Sequence, residues 1–419
     1  MHKPWVMTKI GDISTIKGST IPFSQISKYQ DDTGEKVTAI KVSDMNLPGN
    51  ESILNTSQIE FKINSQHLNN KTLPPESIVF PKRGAAIKTN KKRITKHHSI
   101  LDPNTIGIVI EDKNILPLYL YYWFLSIDIS RIQDVGVTPQ LNKKDLMPLE
   151  FPCPSVSTQK KISHILSKIQ NKIENIDKHI ESFASLKKSV MEKLFTEGLH
   201  NEKQKATEIG MIPESWNVVS ISDAFVFTSK SRALQVVAPI PFIPMELIGD
   251  GSNIYVHNYN LKEKVSSGTY FDNDDLLVAK ITPSFENGKQ SIANIDKDYG
   301  YATTEVIPIK STSTANNLFL FHYLKRDSIR KDLAGKMEGS TGRQRLSKSI
   351  LGATKIPIPS TSEQKDIAQI LTEYDIKIQI LQRTKSQYHD LFSSLLNKLM
   401  INEISTDELE FKERSSSHE

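Results

Sequence analysis

Two stretches of the chain carry apolar residues at alternating spacings of four and three. The first runs Ile162, Leu166, Ile169, Ile173, Ile176, Ile180 and Phe183, then Lys187, Val190 and Leu194. The second runs Ile367, Leu371, Tyr374, Ile378, Leu381, Lys385, Tyr388, Phe392, Leu395 and Leu399. That spacing keeps one stripe on one side of a helix and is the pattern of a coiled-coil seam. It predicts helices over Thr158–Glu197 and Glu363–Asn402, each roughly 60 Å long at about 1.5 Å per residue. Neither helix can bury its stripe alone, so the two should pack on each other. The first must deliver the chain to the second half and the second starts there, so the economical pairing is antiparallel. One lysine interrupts each seam, Lys187 and Lys385. A polar seam residue can fix register; a lysine can equally carry its head to solvent along the helix surface.

The two helices are the ends of an internal repeat. Leu146–Leu166 (LMPLEFPCPSVSTQKKISHIL) and Leu351–Leu371 (LGATKIPIPSTSEQKDIAQIL) are identical at ten of 21 positions at an offset of 205 residues. In each copy a Pro-x-Pro pair holds the chain extended before the helix. Ser157 and Ser362 follow as expected N-caps. The repeat continues upstream: Trp5, Ile10 and Asp12 match Trp216, Ile221 and Asp223, and Ile78–Lys82 and Leu276–Lys280 are strand-like runs ending on lysine. Tyr119–Leu125 and Leu318–Leu324 are aromatic-rich apolar helix candidates. The expected fold is therefore mixed α/β (α+β): two globular domains separated by two long antiparallel coiled-coil helices, with a pseudo-two-fold from the repeat. Its expected boundaries are 1–150 for the first domain, 151–200 for the central helix, 201–210 for a linker, 211–350 for the second domain, 351–403 for the C-terminal helix and 404–419 for a disordered acidic tail.

Composition narrows the function. A length of 419 residues points to two domains plus extended material. Cys153 is the only cysteine, which excludes a disulfide framework and a multi-thiolate zinc site and fits a reducing, cytoplasmic setting. The longest apolar stretch, Ile115–Ile127, contains Pro117 and is shorter than the ~20 residues of a membrane span, so it reads as a buried helix and no membrane partner is expected. Net charge is +5, and residues 1–150 carry 19 Lys and Arg against 15 Asp and Glu, while residues 351–419 carry 8 against 11. That balance permits nucleic acid binding without requiring it.

Three types of loop could supply such binding. Lys82, Arg83, Lys88, Lys91, Lys92, Arg93 and Lys96 form a run of cations without an acid, the make-up of a phosphate-contacting loop. A second type follows each apolar helix: Thr138, Gln140, Asn142 and Lys143 in the first half, and Thr341, Arg343, Gln344 and Arg345 in the second. Arg, Gln and Asn are the side chains suited to bidentate contacts with base edges. The third loop holds Lys280, Thr282, Ser284, Asn287 and Lys289 and also reads as a hairpin turn. Catalytic signatures are missing: there is no P-loop, no H-E-x-x-H and no G-x-S-x-G. Asp102 with Glu111, Asp112 and Lys113 imitates a carboxylate-carboxylate-lysine nuclease pattern, but so short a pattern needs site geometry to carry a claim. A coiled-coil protein-interaction module without sequence-selective DNA binding is the alternative reading.

At these residues the chain resembles the specificity subunits of type I restriction-modification systems. The marks are Ile209-Gly210-Met211-Ile212-Pro213-Glu214-Ser215-Trp216 opening the second half, its counterpart from Pro4-Trp5 to Gly11-Asp12, and the paired Pro-x-Pro-x-x-Ser-x-Gln-Lys helix starts. The resemblance implies two target recognition domains, each reading one half of a bipartite DNA sequence, with helices that set the spacer and dock partners. It implies no catalysis and no bound cofactor in this chain. S-adenosylmethionine, ATP and Mg2+ would act on partners: two modification (methyltransferase) subunits and a restriction/translocase subunit.

Overall fold

The computed structural model describes residues 5–64, 68, 71–132, 139–230, 237–340 and 342–406; of Gly251 and Ser252 only the backbone is described. The chain divides into two compact units, Met1–Glu174 with Gln387–Glu419, and Asn175–Ser386.

In the first unit a five-stranded sheet has the order Ser14–Lys17, Thr105–Ile110, Ile78–Pro81, Arg93–Thr95, Ile53–Leu54. A three-stranded sheet (Ile59–Ile63, Gln30–Ile40, His98–Leu101) stands beside it. The predicted apolar helix is Pro117–Ser126, with proline at its start where the missing N–H costs no bond. Tyr119, Leu120 and Phe124 pack it against Ile78, Phe80 and Ile108 of the sheet. The second unit repeats the plan. Its five-stranded sheet runs Val226–Phe227, Val306–Lys310, Leu276–Ala279, Gln290–Ala293, Asp250–Val256, with a four-stranded sheet beside it. Its apolar helix is Asn317–Leu324, capped by the Asn316 side chain, which accepts from the Leu318 and Phe319 N–H groups. The matched starts pair with the matched Pro-x-Pro strands: Val6–Lys9 lies antiparallel to Glu150–Cys153, and Asn217–Ser220 to Lys355–Ile358.

The long helices are Val156–Glu197 and Thr361–Met400. Both start two residues before the predicted positions, and the caps move with them. Ser155 accepts from the Thr158 N–H (3.2 Å) and Ser360 from the Glu363 N–H (3.3 Å), so these residues, and not Ser157 and Ser362, close the helix starts. The reason is that a cap must stand immediately outside the first helical turn. Within the second unit the helices run antiparallel. Lys187 reaches Asp375 at 2.5 Å and Lys385 reaches Asp177 at 2.5 Å, and the residue numbers of the two pairs add to the same total. The seam lysines therefore fix register across the pair. In the first unit the start of one helix meets the end of the other, with Ile162 and Leu166 in the same core as Leu396, Leu399 and Met400.

Two boundaries differ from expectation. The expected linker at 201–210 contributes to a hairpin, Gln204–Thr207 against Gly210–Pro213, because Thr207 and Gly210 close a tight turn in which the Thr207 hydroxyl donates to the Gly210 carbonyl. Residues 404–406 of the expected tail are held: Thr406 is buried and its carbonyl accepts from the Lys161 Nζ at 3.0 Å. The rest of the acidic tail lies outside the described residues.

Candidate nucleic-acid interface

The loops predicted separately are brought together, in the same way in both units. After Ile78–Pro81 the chain forms an isolated antiparallel bridge between Arg83 and Gln140; after Leu276–Ala279 the same bridge joins Ile281 to Arg345. In the first unit the Gly84 N–H donates to the Pro139 carbonyl (2.9 Å) and the Leu141 N–H to the Lys82 carbonyl (2.9 Å). In the second the Thr282 N–H donates to the Gln344 carbonyl (3.1 Å) and the Leu346 N–H to the Lys280 carbonyl (2.7 Å). Leu141 and Leu346 are fully buried and anchor the clasp. A strand end thus presents a loop beside a Gln-bearing segment twice in one chain, and in the first unit that loop is cationic.

In the second unit the segment continues upstream as a hairpin, Glu338–Ser340 against Arg343–Arg345. Gly339 sits at φ +132 with the Arg343 carbonyl 2.6 Å from where a Cβ would stand, so a side chain there would break the pairing. Between hairpin and bridge lies a cleft of about 470 Å³ lined by Thr282, Gly342, Arg343 and Gln344 among others. A two-stranded ribbon edged with arginine is a shape and a chemistry that the DNA major groove admits.

The side chains sort the predicted site residues. Arg83, Lys88, Lys96, Lys143 and Arg343 are exposed, and none of their side chains makes a hydrogen bond or ion pair with a described residue. Lys82, Lys280, Gln140, Gln344 and Ser284 are half-buried at the clasp or turn, and Asn287 is exposed. Thr138 and Thr341 lie outside the described residues.

One predicted contact is corrected by burial, and several other predicted residues have partners within the protein. Lys92 is 1% exposed, and its Nζ donates to the Asn90 Oδ1 and to the Ile127 carbonyl, both at 2.7 Å. Burial pushes it down to about 8. Arg93 spends its guanidinium on the carbonyls of Asn50, Met45 and Lys92. Lys91 donates to Asn46. Lys92 and Arg93 are structural, because strand Arg93–Thr95 is an inner strand whose flanking loops leave carbonyls needing donors. Lys289 donates to the Met245 carbonyl (2.9 Å), and Arg345 pairs with Glu305 (2.9 Å), which offsets its charge. Asn142 caps the short helix Lys143–Leu146, its own N–H donating to Asp145 at 2.7 Å. Thr282 is part of the clasp, its hydroxyl accepting from the Gln344 N–H at 3.1 Å.

The nuclease pattern is not assembled. Asp102 accepts from the Asn104 N–H and side chain, and Glu111 from the Thr15 hydroxyl. Among the described residues no group of three or more His, Cys, Asp or Glu side chains could hold a metal ion, and no helix is long and apolar enough to cross a membrane.

What sequence reasoning missed is the pair Gln159 and Gln364. Both are fully buried. Gln159 donates to the carbonyls of Pro154 (3.0 Å) and Asn114 (3.0 Å) and accepts from the Leu116 N–H (2.8 Å). Gln364 does the same with Pro359 (3.0 Å), Thr314 (2.8 Å) and the Asn316 N–H (2.9 Å). Each locks a long helix to the start of its apolar helix. Their identity across the repeat was the available signal.

Comparison with known proteins agrees with this duplicated architecture. The family model described as "Type I restriction modification DNA specificity domain" matches residues 2–182 and again 213–387. A putative type I restriction enzyme MjaX specificity subunit of Methanocaldococcus jannaschii is 29% identical over 272 residues, 63% of this chain and 61% of that protein. The chain thus matches somewhat under two thirds of that relative's length. The MjaVIII specificity subunit of the same organism is 28% identical over 326 residues, 74% of this chain and 76% of its own. Among solved structures, the type I restriction-modification S subunit from M. genitalium aligns with TM-score 0.58 at 16% identity, covering 94% of this chain and 96% of that one. A chain from a type I R-M structure concerned with complex assembly and conformational transition aligns with TM-score 0.51 at 14% identity, covering 95% and 97%. With two matched domains that span most of its length, the chain belongs to the family of type I restriction-modification DNA specificity domains.

Proposed function

We propose that this chain is the DNA-reading subunit of a type I restriction-modification complex, each unit reading one half of a bipartite target. The observation that carries this reading is the duplicated clasp, which joins the loop after the central strand to a Gln-bearing segment at the same strand end in both units, with exposed cations on the loop in the first unit and Arg343 on the segment in the second. Arg83, Lys88 and Lys96 supply phosphate contacts in the first unit, and Arg343 reads a base edge from its hairpin in the second. The long helices set the spacer between half-sites and dock the partners: two modification subunits, which carry S-adenosylmethionine, and a restriction/translocase subunit that uses ATP and Mg2+. The assembly works in the cytoplasm, and this chain contributes recognition without catalysis.

Co-expression with the modification subunit, followed by sequencing of methylated host DNA, tests the reading. A two-part methylated adenine motif is expected. Exchanging residues 1–150 for those of another member should change one half of it only. Arg343→Ala should cost about 1–3 kcal/mol of discrimination at one position of the other half. An exchange that leaves both halves unchanged overturns the proposal.

A further inference from the structure

The loop after the central strand ends, in both units, on a residue in the left-handed region. In the first unit the turn Gly84–Thr89 closes on Asn90 at φ +53. In the second the turn that starts at Thr282 closes on Gly288 at φ +74. Counted from the paired lysines Lys82 and Lys280, Asn90 and Gly288 are the same position. The loop is tied there to the segment that follows the apolar helix, by opposite means. Asn90 sends its side chain outward: its Oδ1 accepts from the Ile129 N–H (3.0 Å) and from Lys92 Nζ, which also holds the Ile127 carbonyl. Gly288 has no side chain, and the vacancy is filled from the other side. Arg330, on helix Asp327–Gly335, lays its guanidinium so close that a Cβ on Gly288 would stand 2.6 Å from Nη1 and 2.8 Å from Cζ.

Arg330 is itself placed. Its Nη2 donates to the Lys325 carbonyl at 3.1 Å. The base of its helix is fixed to the first long helix by Arg326, whose Nε (3.1 Å) and Nη2 (2.5 Å) both donate to Glu192, and by Lys188 on Asp327. From its far end the chain runs through the buried Met337 directly into the hairpin Glu338–Arg345. One short helix therefore supports both elements that face the cleft of this unit.

We infer that Asn90 with Lys92 in the first unit, and Arg330 against Gly288 in the second, are equivalent positioning residues that hold the end of each DNA-facing loop in its reading geometry. The inference rests on the proposed DNA-reading role for its consequence, but the anchoring itself can be measured without DNA. They touch no base; they act through Lys88 in one loop and through Ser284 and Asn287 in the other.

The test uses the full-length chain. Hydrogen exchange of the free protein should show the amides of residues 285–289 exchanging at least about tenfold faster in Arg330→Ala, with the amides of Asn317–Leu324 unchanged. Gly288→Asn alone should push the Arg330 guanidinium off the loop, and exchange should rise by less than in Arg330→Ala because that end of the side chain can move. Combined with Arg330→Ala it should restore slow exchange, since asparagine tolerates this backbone region and is what the first unit uses. That reciprocal rescue is not expected of two independent defects. In the assembled complex, Arg330→Ala should relax discrimination in one half-site at least about tenfold and leave the other half unchanged; Asn90→Gly should do the converse. Unchanged exchange in Arg330→Ala, or additive damage in the double variant, overturns the anchoring. Normal anchoring behaviour with no methylated motif from the wild-type complex would instead count against the DNA-reading role.

Discussion

The two joints where a long-helix pair meets an apolar helix occupy matching places in the repeat and are built from opposite chemistry. In the first unit the centre is neutral. The Tyr122 hydroxyl donates to Gln170 Oε1 (2.9 Å), Gln170 donates to the Ser52 hydroxyl, and Phe392 packs edge-on against the Tyr122 ring at 6.1 Å. A half-buried Glu174 accepts from Ser52 at the rim. In the second unit the positions of Gln170 and Phe392 are held by Asp375 and Lys187. Lys187 reaches Asp375 at 2.5 Å and Lys325 reaches the same carboxylate at 3.5 Å. His322 stands 3.9 Å from its other oxygen, with Nε2 3.1 Å from the Thr372 hydroxyl. Two cations share one buried anion, and neither Asp375 Oδ2 nor His322 Nδ1 has a hydrogen-bond partner among the described residues. A shared backbone plan accepts either solution, but only the neutral joint is indifferent to loss of a single charge.

The largest consequence lies at Asp375. Asp375→Ala leaves Lys187 and Lys325 buried together without a counter-charge, at a cost of about 3–5 kcal/mol. The matching Gln170→Ala removes hydrogen bonds but exposes no charge, and should cost about 1 kcal/mol. Hydrogen exchange of Asn317–Leu324 against Pro117–Ser126 reads the two joints separately. Equal losses would mean that the charges at the second joint are effectively solvated.

A pH titration sharpens the contrast. Burial, with Lys187 beside it, pushes Lys325 down to about 7, and burial holds His322 well below its usual value. The groups facing them are Lys187 from the first long helix and Asp375 and Thr372 from the second. A lysine whose folded value is depressed binds fewer protons folded than unfolded between about 7 and its ordinary 10.5. Stability therefore rises with pH across that window; His322 adds the same sign below 6.5. From pH 6 to pH 8 the second joint should gain about 2 kcal/mol. The first joint should gain only about 0.4 kcal/mol, since Lys92, pushed down to about 8, is half deprotonated only at the upper end of that range. Lys325→Met should remove most of the gain, leaving the part due to His322. A first joint with the same slope would contradict the comparison.

Periodicity and repetition made the architecture legible, because a seam of ten positions and an identity at ten of 21 are properties of the sequence itself. The apolar helices and the strands ending on Lys82 and Lys280 were readable for the same reason. The division of labour within the basic run was not. Lys88 and Lys92 look alike in sequence, yet one is exposed and the other lies under the Ile127 carbonyl, 35 residues away. Nor could spacing show that Gln364 reaches Thr314, or that Arg330 fills the space above Gly288. Such roles depend on which carbonyl or vacancy the fold brings to a side chain, and that is set by packing between distant segments.

The smallest effect isolates the neutral joint. Tyr122→Phe keeps the ring that packs on Phe392 and removes only the hydroxyl that donates to Gln170. Burial pushes the Tyr122 phenol far above neutrality, so no titration accompanies the change. The expected loss is about 1 kcal/mol, the same at pH 6 and pH 8, because Gln170 keeps its bond to Ser52 and only one acceptor is left unpaired. Local exchange of Pro117–Ser126 at both pH values measures it. A loss that differs between them would show that a charge, with Glu174 the nearest candidate, shares in holding the joint, and the distinction between the two halves would then be one of degree.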